Sequence, residues 1–198
     1  MHRAIERIAG GLARTCAVLG GLVLSALIVM TCLSIVGRAL GSVLHGDLAQ
    51  SMAPGLAEAL LALGVGPVNG DFELVEAGMA FAIFAFLPLC QLEGGHASVD
   101  ILTSRLSPRV QRFLRMAIEI VFAAVLVLIA VQLFLGMLSK RNSGQTSFLL
   151  QFPVWWAYAA AVSGAIVAAS IAIYVALARS VEAVTGNAIL PDDRESAH

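Results

Sequence analysis

Residues 73–106 read ELVEAGMAFAIFAFLPLCQLEGGHASVDILTSRL. The stretch opens with two carboxylates, Glu73 and Glu76, crosses about twenty apolar positions and leaves them in a polar turn, EGGHASVD. An apolar run of that length with polar ends predicts a membrane-spanning helix. Glu73 and Glu76 lie three apart, so they share one face of the first turn, where the positive end of the helix dipole favours acid. Gly94 and Gly95 supply the left-handed backbone that ends a helix. Beyond them, Asp100 and the apolar positions Val99, Leu102 and Leu106 begin a segment of different character, amphipathic and suited to the membrane surface.

Composition agrees with a membrane protein. Of 198 residues, 59% are hydrophobic and 13% charged, with a mean hydropathy of +0.89, whereas a soluble domain is nearer half apolar and a quarter charged. The net charge of −1 and the lack of a basic patch with interleaved aromatics exclude a nucleic-acid partner. Cys16, Cys32 and Cys90 all sit in apolar runs, where buried small apolar residues are expected rather than disulfides. No Cys/His spacing marks a metal site.

Three further spans flank the second one. A head carrying Arg3, Arg7 and Arg14 precedes an uncharged run from Thr15 to Gly37. As a helix that run covers roughly 34 Å at about 1.5 Å per residue, enough for the hydrocarbon core. It is too long for a signal-peptide core and lacks a small-x-small site before Arg38, so it is read as an uncleaved first span over about 15–38. Within it Ala17, Gly21 and Ser25 recur every four residues, a stripe that admits a close helix neighbour. Residues 38–72 form a long first loop with turn signals at Pro54-Gly55, Gly64, Gly66-Pro67 and Asn69-Gly70. In it AEALLAL predicts a short helix. The second span covers about 72–92, with Pro88 near its end, where a lost backbone hydrogen bond costs least.

The surface segment VDILTSRLSPRVQRFLR places Val99, Leu102, Leu106, Val110 and Phe113 at three- and four-residue steps with arginines between. Ser107-Pro108 is an N-cap followed by a first-turn proline, so a new helix is expected there. The third span runs over about 113–138, with Glu119 one turn after Arg115 and Gln132 its other polar residue. A membrane carboxylate is a functional suspect, but pairing with Arg115 or reaching the headgroups explains Glu119 at this depth. Gln132 is expected to bond across helices. The loop SKRNSGQTSFLLQFP feeds a fourth span over about 153–178, whose start carries Trp155, Trp156 and Tyr158. Amphipathic rings mark the headgroup level. Residues 179–198 form a polar tail.

The basic residues sort by side. Arg3, Arg7, Arg14, Arg105, Arg109, Arg112, Arg115, Arg179 and Arg194 fall on one side, and Arg38, Lys140 and Arg141 on the other. The positive-inside rule then puts both termini and the EGGHASVD turn in the cytoplasm. The expected architecture is all-α, one four-span membrane domain over residues 1–198.

The chemistry of a catalyst is missing. His2, His45, His96 and His198 all lie outside the middle of the spans, so axial haem ligands within the helices are lacking. No Ser/His/Asp set, P-loop or dinucleotide fingerprint occurs, and no span is broken at its middle as in a transporter's binding site. No cofactor and no metal are expected, and four plain spans suit a partner subunit. Two other classes fit the same outline: a membrane anchor of a redox complex, which bound haem or flavin absorbance would expose, and an autonomous small channel or exporter, which alone in liposomes would move solute.

The motifs, taken together and in order, resemble the small membrane subunit of tripartite ATP-independent periplasmic (TRAP) transporters. Glu73 or Glu76 matches the family's glutamate at the start of span two; Gly95, His96, Val99 and Asp100 match a Gly-His-x-x-Val-Asp pattern; Gly144, Ser147, Pro153, Trp155 and Tyr158 match Gly-x-x-Ser…Pro-x-Trp…Tyr. The likeness covers nearly the whole chain. It departs in a longer first loop, in Glu93 where a basic residue is common, and in the lack of a proline shortly after Tyr158. The resemblance implies a multi-pass protein of the bacterial inner membrane. It implies a static scaffold for a large subunit that holds the sodium and substrate sites, fed with an organic acid by a periplasmic binding protein. The residues expected to touch partner or lipid are Glu73, Glu76, His96, Asp100, Arg105, Arg109, Arg112, Arg115, Gly144, Ser147, Pro153 and Trp155. Of these, His96, Asp100 and the arginines form an expected inner belt at the cytoplasmic surface.

Overall fold

A computed structural model describes residues 2–46, 51, 54–93 and 107–185. Its elements in chain order are α1 (His2–Leu44), α2 (Pro54–Ala62), α3 (Asp71–Leu92), α4 (Pro108–Ser143) and α5 (Trp155–Thr185). All but α2 are long and apolar enough to cross a membrane, so the all-α, four-span expectation holds. The short helix expected in the first loop is α2.

The helices run past the expected spans. α1 continues through Arg38 to Leu44, because nothing in RALGSVL stops a helix and a polar side chain beyond the hydrocarbon core costs nothing. The first loop is correspondingly shorter than expected. α4 begins at Pro108, with Ser107 in extended backbone and no side-chain cap bond. The part of the amphipathic segment from Pro108 to Arg115 is therefore the first two turns of the third span rather than a separate surface helix. Residues 94–106, including the expected helix-ending Gly94-Gly95 and most of the surface segment, lie outside the described residues, and so does the tail beyond Thr185. α4 ends at Gly144 in the left-handed conformation, whose N–H bonds to the Arg141 carbonyl.

The helices stand in a row. α1 packs on α3, α3 on α5 and α5 on α4, with only a light contact between α1 and α5. α3 and α5 run the same way side by side, and α1 and α4 run the opposite way at the two edges. The chain thus passes beyond the place of α5 to lay down α4, then inserts α5 between α4 and α3. Lipid is as apolar as leucine, so helices associate here through close contact rather than through hydrophobic burial. Small residues make that contact. Ala123, Leu126 and Ala130 of α4 meet Ala165, Ala168, Ala169, Ala172 and Ala176 of α5. Where α3 crosses α5, a Cβ on Gly164 would stand 2.9 Å from the Phe84 Cβ and 3.3 Å from its carbonyl carbon.

α1 packs through a different stripe from the expected one. A Cβ on Gly21 would meet nothing within 4 Å, and Ser25 is exposed. The packed seam is Ala13, Gly20, Leu27, Ser34 and Gly41, seven residues apart each time. Ala13 joins Ile171, Val175 and Ala178, Gly20 faces Ala85, and Leu27 covers Gly78. A seven-residue repeat is the seam of two helices wound gently round each other. Cys32 is exposed, whereas Cys16 and Cys90 are half-buried, and none of the three is in a disulfide; burial of Cys32 is thus a corrected expectation. Gln132, expected to bond across helices, is exposed on α4.

Candidate subunit-contact site

The polar groups gather at the two ends of the row. At one end α3 and α5 begin and the loop 144–154 lies between α4 and α5. Here Glu73, on the first turn of α3, accepts hydrogen bonds from the backbone N–H groups of Leu149 (2.6 Å) and Leu150 (3.0 Å). Backbone N–H groups converging on one carboxylate make a charge-assisted clamp. The loop is braced further by Ser147 N–H to the Phe152 carbonyl, by Val154 N–H to the Gln145 carbonyl and by a bridge between Thr146 and Pro153. Gln151 turns the chain at φ 56°, and its side chain donates to the Phe148 carbonyl. Four residues of the Gly-x-x-Ser…Pro-x-Trp pattern have a place in this brace. Gly144 caps α4, Ser147 and Pro153 hold the loop, and Trp155 lies edge to face with Trp156 and beneath the Arg141 guanidinium.

Glu76 behaves differently from Glu73. It is exposed and lines a cleft of about 480 Å³ together with Ala77, Ala80, Leu133, Phe148, Phe152 and Tyr158. The Ser147 hydroxyl on the same cleft is buried beside Glu73 without a well-formed hydrogen bond.

Three residues that sequence reasoning did not single out tie α1 to α3 at this end. The buried Ser34 hydroxyl donates to Asp71 Oδ2 at 2.5 Å and accepts the Val68 N–H. The Arg38 guanidinium stands 3.5 Å from the same oxygen and over the Phe72 ring. The signal was present in part: Asp71 follows the turn Asn69-Gly70 and opens a helix, where acid is favoured. Its partners lie in another span and carried no mark.

At the opposite end, Arg109, Arg112 and Phe113 of α4 face Ala183, Val184 and Thr185 of α5 across a smaller cleft of about 370 Å³. Arg115 sits on the following turn, half-buried. Gln91, 3% exposed, donates to Glu119 from α3 to α4. Glu119 was expected to meet Arg115 or the headgroups; the contact seen here is with the Gln91 amide, and it joins two helices. Arg179 donates to Glu182 at 2.9 Å, both largely buried. His96, Asp100 and Arg105 of the expected inner belt lie outside the described residues. The structure therefore brings Arg109, Arg112 and Arg115 together on α4 and leaves the rest of the belt undescribed.

Among the described residues no three His, Cys, Asp or Glu side chains converge as metal ligands would. What the geometry offers is a braced loop, an open carboxylate and long exposed apolar helix faces, which are means of contact.

The sequence model of the family described as tripartite ATP-independent periplasmic transporters, DctQ component, matches residues 27–183. The match runs from the middle of α1 to the end of α5 and takes in the clamped loop. The chain belongs to this family, the small permease component of TRAP transporters. No curated protein and no solved structure matches the chain significantly.

Proposed function

We propose that this chain is the static small subunit of a sodium-driven TRAP system of the bacterial inner membrane that takes up an organic acid. In this reading it widens the immobile frame against which a large, substrate- and sodium-binding subunit moves, while a periplasmic binding protein delivers the substrate. The observation that carries it is the family match across all four spans. The row of helices supports the same reading, since it leaves the outward faces of α1 and α4 lined with Leu22, Ile28, Leu33, Val121, Leu128 and Leu135, all well exposed. Faces of that kind serve lipid or another membrane subunit. The basic residues concentrate at the end where the chain starts and α5 finishes, which favours that end as the cytoplasmic one. The clamped loop and Glu76 then belong to the periplasmic side. Arginine forks suit lipid phosphates and partner carboxylates, so Arg109, Arg112 and Arg115 are assigned to headgroups and partner at the cytoplasmic surface.

The test is co-expression with the large membrane subunit of the same system, followed by affinity capture on a tag carried by this chain. Recovery of the two chains in a fixed ratio through detergent washes is the expected result. A chain that is captured alone from membranes containing both overturns the reading.

A further inference from the structure

We propose that the cleft beside Glu76 receives a lysine or arginine side chain of the large membrane subunit, with Glu76 as its counter-ion and Phe148 packed alongside. The inference rests on the small-subunit reading and assigns the chemistry of the contact.

The two glutamates of α3 have separate duties. Both oxygens of Glu73 are taken by the Leu149 and Leu150 N–H groups. Glu76, one turn on, has no hydrogen bond or ion pair among the described residues, yet it stands at the edge of a cleft walled by Ala77, Ala80 and Leu133. A carboxylate against an apolar wall at membrane level gains most from a cation that shares its desolvated site. The other walls suit the same visitor. Phe148, Phe152 and Tyr158 all line the cleft, and aromatic faces attract ammonium and guanidinium groups.

Among the described residues, no lysine or arginine at the same end lines the cleft. Arg38 is held by Asp71 and lies over Phe72. Lys140 donates to Gln145, and Arg141 covers Trp155. None of the three lines the cleft. The charge it wants must come from outside.

The loop favours a protein side chain over a lipid amine. Phe148 is 88% exposed, yet the backbone after it is pinned by the Glu73 clamp, Ser147 before it bonds to the Phe152 carbonyl, and Gln151 holds a left-handed conformation that side chains rarely adopt. Such local cost persists where the surrounding structure imposes it, and such sites cluster at points of contact. A fluid lipid headgroup adapts to any surface, whereas fitting a fixed partner side chain profits from a preorganised loop.

The experiment uses the full chain co-expressed with its large membrane subunit. A photoreactive benzoylphenylalanine is placed at position 148, and Glu76→Gln, Glu76→Lys and Glu76→Asp are compared with wild type. The expected result is an ultraviolet-induced adduct between position 148 and a large-subunit peptide bearing lysine or arginine at its periplasmic membrane boundary. Capture of the large subunit should fall about tenfold for Glu76→Lys, where like charges meet, fall less for Glu76→Gln and be largely kept by Glu76→Asp. Unchanged thermal midpoints of the variant chains purified alone would show that folding is not the cause, whereas variants that lose their own stability in step with capture would mark Glu76 as a folding residue and overturn the assignment. An intact complex with no large-subunit adduct, an adduct of phospholipid mass, or capture indifferent to all three substitutions also overturns it while leaving the small-subunit reading standing. A wild-type chain that captures no large subunit overturns both.

Discussion

Glu73 holds the backbone N–H groups of Leu149 and Leu150 from 76 and 77 residues away in the chain. One carboxylate thereby fixes the turn between α4 and α5 onto the first turn of α3. Glu73→Gln keeps the size of the side chain but replaces one acceptor oxygen with a donor, so one of the two N–H groups loses its partner. The exposed Phe148 and Leu149 should then become chymotrypsin targets in detergent, cleaved several-fold faster than in wild type. Glu76→Gln, which touches no N–H group of the loop, should leave the cleavage rate unchanged. Equal cleavage of wild type and Glu73→Gln would show that the clamp does not order the loop.

The same loop stands over the α3–α5 contact, where Gly164 leaves no room for a side chain. Gly164→Leu must displace Phe84 or separate the helices, and overpacking of this kind costs about 1–3 kcal/mol. Gly21→Leu, on the open side of α1, meets nothing within 4 Å and should be neutral or slightly stabilising through better helix propensity. Thermal midpoints of the two purified variants separate the cases. A Gly164→Leu chain as stable as Gly21→Leu would contradict the packing described.

These two sites show what could and could not be read from the residues alone. Four spans were legible because twenty consecutive apolar positions leave few other outcomes. Which face of each span packs was not. Within a uniformly apolar helix there is no polar stripe to set against an apolar one, so Ala17-Gly21-Ser25 and Ala13-Gly20-Leu27-Ser34 look equally good, and only the neighbour decides. α1 and α4 run past the charged residues that bound the spans read from the sequence, because a charged residue ends the hydrocarbon stretch but does not end a helix. The acidic pair Glu73 and Glu76 was legible as a site, yet their division of labour was not. Glu73 is satisfied by backbone N–H groups of a distant loop, and backbone groups carry no sequence signature.

Gln91 and Glu119 form the polar contact between α3 and α4 near the arginine-rich end. Gln91→Leu removes the amide and leaves the carboxylate short of a donor, a loss of about 1–3 kcal/mol. Replacing both residues with leucine should recover part of it, since the buried carboxylate that lost its amide donor is removed along with it. Reversible unfolding in mixed detergent micelles reads both values. A double variant that loses the sum of the two single losses would show that the residues act independently.

The orientation is open to direct test. In a chain lacking Cys16, Cys32 and Cys90, single cysteines at the exposed positions His45 and Ser107 fall on opposite sides of the membrane. A membrane-impermeant maleimide applied to intact cells should label position 45 and spare position 107. Labelling of position 107 alone would invert the chain in the membrane.

The central claim is that this chain is a scaffold which moves nothing alone. The most direct measurement is uptake into proteoliposomes under an inward sodium gradient, made with this chain alone, with the large subunit alone, and with both, each with and without the loaded binding protein. The expected result is uptake when both membrane subunits and the binding protein are present, and none above empty liposomes for this chain alone. Sodium-driven uptake by this chain without the large subunit would contradict the account.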